Sequence, residues 1–407
     1  MTLNNEKTKK IIYFLSVLIL SAVAIIPYLV FIGIIFTFEP DYKGEEFIRT
    51  MFINSFAFQI FYFFCYSTIF NLYPLNKKVI LLSFLSFLLI FLIWHSLSYL
   101  MPIGFLYSTN EELNIPFFQM HIITNIFSFV IFFILTCLSY NKFIINDIKN
   151  INKFFTLTGN TIIFSLIIYF ILFIIWILYP LLFSIMIKIF DFELNGNLEM
   201  FLFFKIPIII FIFLCGVAPF ISYILFSTFK KLKNISIYFA RGIILIFLFL
   251  EFTALLGLFS PLLRPYENKF IFIIYNILLV LIVATLFFIS PNYKAGVFTK
   301  AIYLITPIFS ALFNLVVLSA TIFRIIEYGI TATKIILLLT NFASLLHLII
   351  ISVYNIKSII KSLKSEEIEI GDDKTVFYIY VYGVLAFVVC FIIPIVLRLI
   401  KYKFILY

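Results

Sequence analysis

A chain of 407 residues that is 64% hydrophobic and 12% charged is not a set of soluble domains, which average about 25% charged residues and bury most of their apolar surface. The net charge of +10 does not indicate nucleic-acid binding, because that needs a soluble basic face and the apolar runs leave none. The composition fits an all-α, polytopic integral membrane helix bundle, with residues 1-407 as a single membrane-embedded domain and sub-bundles at 1-230 and 231-407. The bilayer is then an expected partner, solvating the side chains that water would not.

Eleven apolar runs, divided by charged or turn-rich breaks, predict about eleven transmembrane helices. The first, about 11–36, follows the polar and basic residues Met1 to Lys10 and exceeds a signal-peptide core, so it reads as a retained span. Next come runs at about 51–75, 79–101 and 119–140. The fifth, 157–189, is long enough to tilt or to extend past the membrane. The sixth, about 201–228, carries Pro207, Gly216 and Pro219 and predicts a kink or a broken helix. The remaining runs are 235–260, 270–290, 297–323, 335–355 and 376–400.

Lys and Arg divide sixteen to eight between the alternating breaks. The richer set, from Lys7 to Lys374, marks the cytoplasmic side. That places the N-terminus inside and the C-terminus outside. Abundant Phe, Ile, Asn, Lys and Tyr suit an AT-rich bacterial genome, hence an inner-membrane location. With 57 Phe against 12 Gly, packing is expected to rely on bulky side chains rather than on the small residues common in membrane interfaces.

Cys65, Cys137, Cys215 and Cys390 all fall inside apolar runs without metal-ligand spacing and read as small hydrophobes. No cofactor is implied. There is no HExxH, no GxSxG and no phosphate-cradling Gly-rich loop, so nothing in the sequence indicates an enzyme.

Ionisable groups inside a span are costly and mark function. Glu251, in LIFLFLEFTALLGLF, is the foremost candidate. Arg241 precedes it by ten residues, about 15 Å along a helix and too far to pair directly. A partner must come from another helix, with Asn276, Asn314 and His347 as candidates. His347 lies mid-span in the tenth run, so Glu251, His347 and Arg241 form the candidate intramembrane polar site. His95 and His121 flank the Glu111–Glu112 loop and are weak metal candidates without a fixed third ligand. The Lys357–Lys374 segment turns from basic to acidic and offers a cytoplasmic partner a docking point; oligomeric state is left open.

Between the ninth and tenth runs stands Arg324-Ile-Ile-Glu327-Tyr328-Gly329-Ile330-Thr331-Ala332-Thr333-Lys334. Arg324 and Tyr328 suit the membrane interface. Gly329 suits a left-handed helix end, and Thr331 or Thr333 a cap on the next helix. This stretch resembles the Arg-x-x-x-Tyr-Gly-Ile-Thr-x-x-Arg signature of a bacterial membrane family known as domain of unknown function 4153. Arg324, Tyr328, Gly329, Ile330 and Thr331 match; Ala332 replaces an acidic residue and Lys334 the second Arg. The resemblance spans roughly 235–355 and implies a membrane bundle without implying an activity.

Two function classes follow. One is a transporter or permease-like protein that uses Glu251 in the bundle core. The alternative is a non-catalytic scaffold or assembly partner of other envelope proteins.

Overall fold

The computed structural model describes residues 12–26, 58–72, 75–100, 111–145, 147–190, 206–228, 232–260, 264–288, 297–362 and 378–396. The described residues are nearly all helical, and no strand occurs among them. Each apolar run holds a helix. These are α1 (Ile12–Ile26), α2 (Phe58–Phe70), α3 (Lys77–Leu100), α4 (Glu111–Tyr140), α5 (Ile148–Phe190) and α6 (Ile206–Thr228). There follow α7 (Leu232–Gly257), α8 (Lys269–Phe288), α9 (Val297–Tyr328), α10 (Ala332–Ser362) and α11 (Tyr378–Phe387). Eight helices among the described residues are long and apolar enough to cross a membrane: α3 to α6 and α8 to α11 with its continuation to Val396. The protein is a membrane-embedded helical protein, because in lipid a helix satisfies its own backbone.

Polar residues set several helix starts. Asn76 accepts from the Val79 amide at 3.2 Å, Asp147 from the Asn150 amide at 3.1 Å, and Asn268 from the Phe270 amide at 3.0 Å. Each satisfies an amide that the helix leaves without an internal acceptor. The 43 residues of α5 span about 65 Å at about 1.5 Å per residue, well beyond a hydrocarbon core, as the length of the fifth run leads one to expect.

In the sixth run the described residues form one unbroken helix, Ile206–Thr228. Pro207 lies at the start of α6, not in its interior, where its missing N–H breaks no internal bond. Pro219 lies inside, yet α6 continues through it to Thr228 without a break. Pro219 leaves the Cys215 carbonyl without its usual donor, and the next carbonyl, of Gly216, accepts from Tyr62 Oη at 3.1 Å. A second proline effect was not foreseen. Val388–Ile392 is a π-turn, with the Ile393 amide donating to the Val388 carbonyl. The widened turn precedes Pro394, whose ring would press on the Cys390 carbonyl of a regular helix.

Two compact units divide the chain: Met1–Phe91 with Leu157–Ser236, and Leu92–Thr156 with Ile237–Tyr407. Neither unit is continuous in sequence, and α4 groups with the C-terminal half of the chain. In the first unit, Val17, Ala24, Cys65, Tyr66, Ile69, Phe220, Tyr223 and Ile224 form the core. Tyr62 and Tyr66 meet Phe220 edge-on at 5.2 and 5.7 Å between ring centroids. In the second, Tyr275, Leu279 and Ile282 of α8 pack with Phe313 and Val317 of α9 and Leu348 of α10. Phe247, Ala254, Leu255 and Leu258 cover this core from α7 and the turn after it.

Bulky side chains fill both cores, aromatic in the first and mostly aliphatic in the second, but glycine governs two close approaches. A Cβ at Gly216 would lie 2.8 Å from the Ile25 side chain, and one at Gly383 of α11 would collide with Ile134 of α4. Small residues let helices approach where lipid gives no hydrophobic drive for them to associate.

Candidate functional site

On α7 the inward stripe runs through Ile244, Phe247, Glu251 and Ala254, three or four residues apart, and Leu258 continues it in the turn that follows. Helical periodicity therefore carries Glu251 into the core of the second unit, where it is fully buried. Ser310 of α9 donates its hydroxyl to Glu251 Oε2 at 3.0 Å. The other carboxylate oxygen, Oε1, has no hydrogen-bond partner among the described residues.

None of the three partners nominated from the sequence bonds Glu251. Asn276 and Asn314 belong to a separate amide network. Asn341 of α10 donates to Asn276 Oδ1 at 3.0 Å and to Thr321 Oγ1 at 3.3 Å. Asn314 donates to the Asn341 carbonyl at 2.9 Å, and Asn276 to the Phe272 carbonyl at 2.8 Å. The reason is register: Asn314 sits one helical turn beyond Ser310 on the same face of α9, so the serine reaches the carboxylate first. Asn314 is fully buried and its Oδ1 also lacks a partner among the described residues.

His347 is buried but faces α11. Its ring stacks on Tyr378 at 4.7 Å and 8°, and Tyr382 Oη lies 3.4 Å from its Nδ1 and from Ser344 Oγ. The structure thus does not join His347 to Glu251. Arg241 is half-buried on α7 and makes no ion pair with Glu251, consistent with their axial separation. The side chains of His95 and His121 lie outside the described residues. Among the described residues no group of three or more His, Cys, Asp or Glu converges as a metal site does. The Lys357–Lys374 segment is described only as far as residue 362.

The hairpin between α9 and α10 has the local structure its residues call for. Gly329 adopts φ +75°, a left-handed conformation that a side chain would strain. Thr331 caps α10 by accepting from the Lys334 amide at 3.3 Å. Tyr328 is exposed, but Arg324 does more than anchor to an interface. Its Nη1 donates to the Tyr266 carbonyl at 3.0 Å, and its guanidinium lies 5.2 Å from the centroids of both Phe272 and Tyr328. Tyr266 also bonds Ser319 at 2.8 Å. The α7–α8 and α9–α10 connections therefore meet at one end of the unit, as alternating topology demands. Lys334 Nζ donates to the Tyr328 and Gly329 carbonyls at 3.1 and 2.6 Å. It thereby neutralises the C-terminal carbonyls of α9.

Sequence reasoning missed Ser310, Thr321 and Asn341. A signal was present: Thr306, Ser310, Asn314, Thr321 and Arg324 share one face of α9, and Asn341, Ser344 and Ser352 one side of α10.

The site defines a class, a polytopic helical membrane protein with a buried carboxylate beside a buried amide network. No family model, curated protein or solved structure matches the chain.

Proposed function

We propose that this is an eleven-span bacterial inner-membrane protein of the transporter or permease class, with its N-terminus cytoplasmic and Glu251 as its working group. Within this reading the chain belongs to the family carrying the Arg-x-x-x-Tyr-Gly-Ile-Thr turn. One observation carries the proposal: Glu251 is fully buried, with one oxygen bonded to Ser310 and the other unpartnered. A carboxylate within a spanning helix costs a few kcal/mol, and one hydrogen bond to a charged group returns about 1.5–3 kcal/mol. A position serving packing alone is met more cheaply by Leu or Gln. A carboxylate that must exchange a positive charge during a transport cycle accounts for both the burial and the incomplete bonding.

The test is solute-driven ion flux. The full chain is reconstituted in liposomes with an internal pH dye and challenged with a panel of amino acids, sugars, nucleosides and drug-like cations. The expected result is solute-dependent flux that Glu251→Gln abolishes while the protein still inserts. Absence of flux across the panel, with no effect of Glu251→Gln in cells, would instead indicate a non-transporting scaffold.

A further inference from the structure

Two buried acceptors in the second unit lack a donor: Glu251 Oε1 and Asn314 Oδ1, both on residues that are 0% exposed. Ser310 bonds the first of these residues and precedes the second by one helical turn. Its hydroxyl donates to Glu251 Oε2 at 3.0 Å, and Asn314 follows it by one turn, about 6 Å away on the same face of α9. One turn in the other direction, buried Thr306 donates its proton to the Ile302 carbonyl at 2.7 Å, which leaves its oxygen lone pairs available. This end of the polar stripe is rich in oxygen acceptors and poor in donors. Both donors of Asn341 are spent elsewhere, on Asn276 and Thr321, and the Asn314 amide nitrogen is directed to the Asn341 carbonyl. Buried acceptors of this kind need a partner of positive character.

We infer that Glu251, Ser310 and Asn314 form a binding site for one small desolvated monovalent cation, of which sodium is the physiological example. The inference rests on the reading of Glu251 as a working carboxylate, and names the ion it takes. Charge decides the valence. Glu251 carries one negative charge, so a monovalent ion leaves the site neutral, whereas a divalent ion would leave an uncompensated charge in a low-dielectric interior. Ligand type decides the chemistry: carboxylate, amide and hydroxyl oxygens are hard donors that suit hard cations. Ligand number decides the size, since a few side-chain oxygens on two helices surround a small ion better than a large one.

The experiment is equilibrium binding of radioactive sodium to the purified full-length protein in detergent at constant ionic strength, with unlabelled NaCl, KCl or choline chloride as competitors. Saturable sodium binding is expected, displaced by NaCl and not by KCl or choline. Glu251→Gln and Asn314→Leu should each weaken it at least tenfold, whereas Ser165→Ala, at a buried serine of the first unit, should leave it unchanged. Should those two variants fail to run as a single species in gel filtration, Asn314→Asp decides: a second carboxylate should shift preference toward calcium, read with radioactive calcium. No saturable sodium binding by the wild type overturns the inference, as does equal displacement by KCl or unaltered affinity in Glu251→Gln. Loss of sodium binding alone would leave the transport reading standing wherever Glu251-dependent flux persists. Sodium binding without any solute flux would preserve the site and remove the transport reading.

Discussion

Replacing Asn341 with Leu tests the amide network directly. The substitution roughly conserves volume, so cavity terms stay small. It removes two donated hydrogen bonds, at 3.0 Å to Asn276 and 3.3 Å to Thr321. The Asn341 carbonyl remains, so the bond from Asn314 survives. Hydrogen bonds between membrane helices average about 0.6 kcal/mol and reach about 1.7 kcal/mol. A buried acceptor left without a donor costs about 1–3 kcal/mol. Asn276 Oδ1 becomes such an acceptor, and the longer Thr321 bond contributes less, so a destabilisation of about 1–2 kcal/mol is expected. The assay is reversible unfolding in mixed micelles with increasing SDS, followed by helical circular dichroism. Asn276→Leu and the double variant complete a cycle, with a coupling of about 1 kcal/mol expected because the double variant strands no acceptor between the two positions. Additivity within about 0.3 kcal/mol would show that the two side chains do not interact and would refute the network.

Arg324→Ala should destabilise the second unit by about 1 kcal/mol, from a lost hydrogen bond and its ring contacts, and expose the 264–268 connection to protease; unaltered cleavage would count against a stabilising role for the Arg324–Tyr266 contact. Gly329→Ala forces a side chain into the left-handed region and should cost about 1–2 kcal/mol in the same unfolding assay, with Gly329→Asn milder. Gly383→Val should push α11 from α4, lower the melting temperature and weaken a Cys pair engineered across that contact; an unchanged melting point would refute the close approach. Reporter fusions after Tyr407 should be active only outside the cytoplasm, and cytoplasmic activity would mean that one span has been miscounted.

Hydropathy alone placed a helix in every apolar run. This works because lipid offers the backbone no hydrogen bonds, so an apolar stretch of sufficient length has to coil. The hairpin at Gly329 and Thr331 was equally legible, since a positive φ and a helix cap depend on residues within a few positions of each other. Glu251 also stood out in the sequence as an acidic residue inside an apolar run, and it is buried. What it touches could not be read there. Ser310 lies 59 residues away, and choosing it over Asn314 depends on how α7 and α9 are set in rotation and height. The same applies to His347, which turns to Tyr378 rather than to Glu251, and to Arg324, which reaches the Tyr266 carbonyl. Helices that are apolar on nearly every side carry little pattern to say which face turns inward. That orientation is settled only when aromatic bulk, two glycine contacts and a few buried polar groups are packed together.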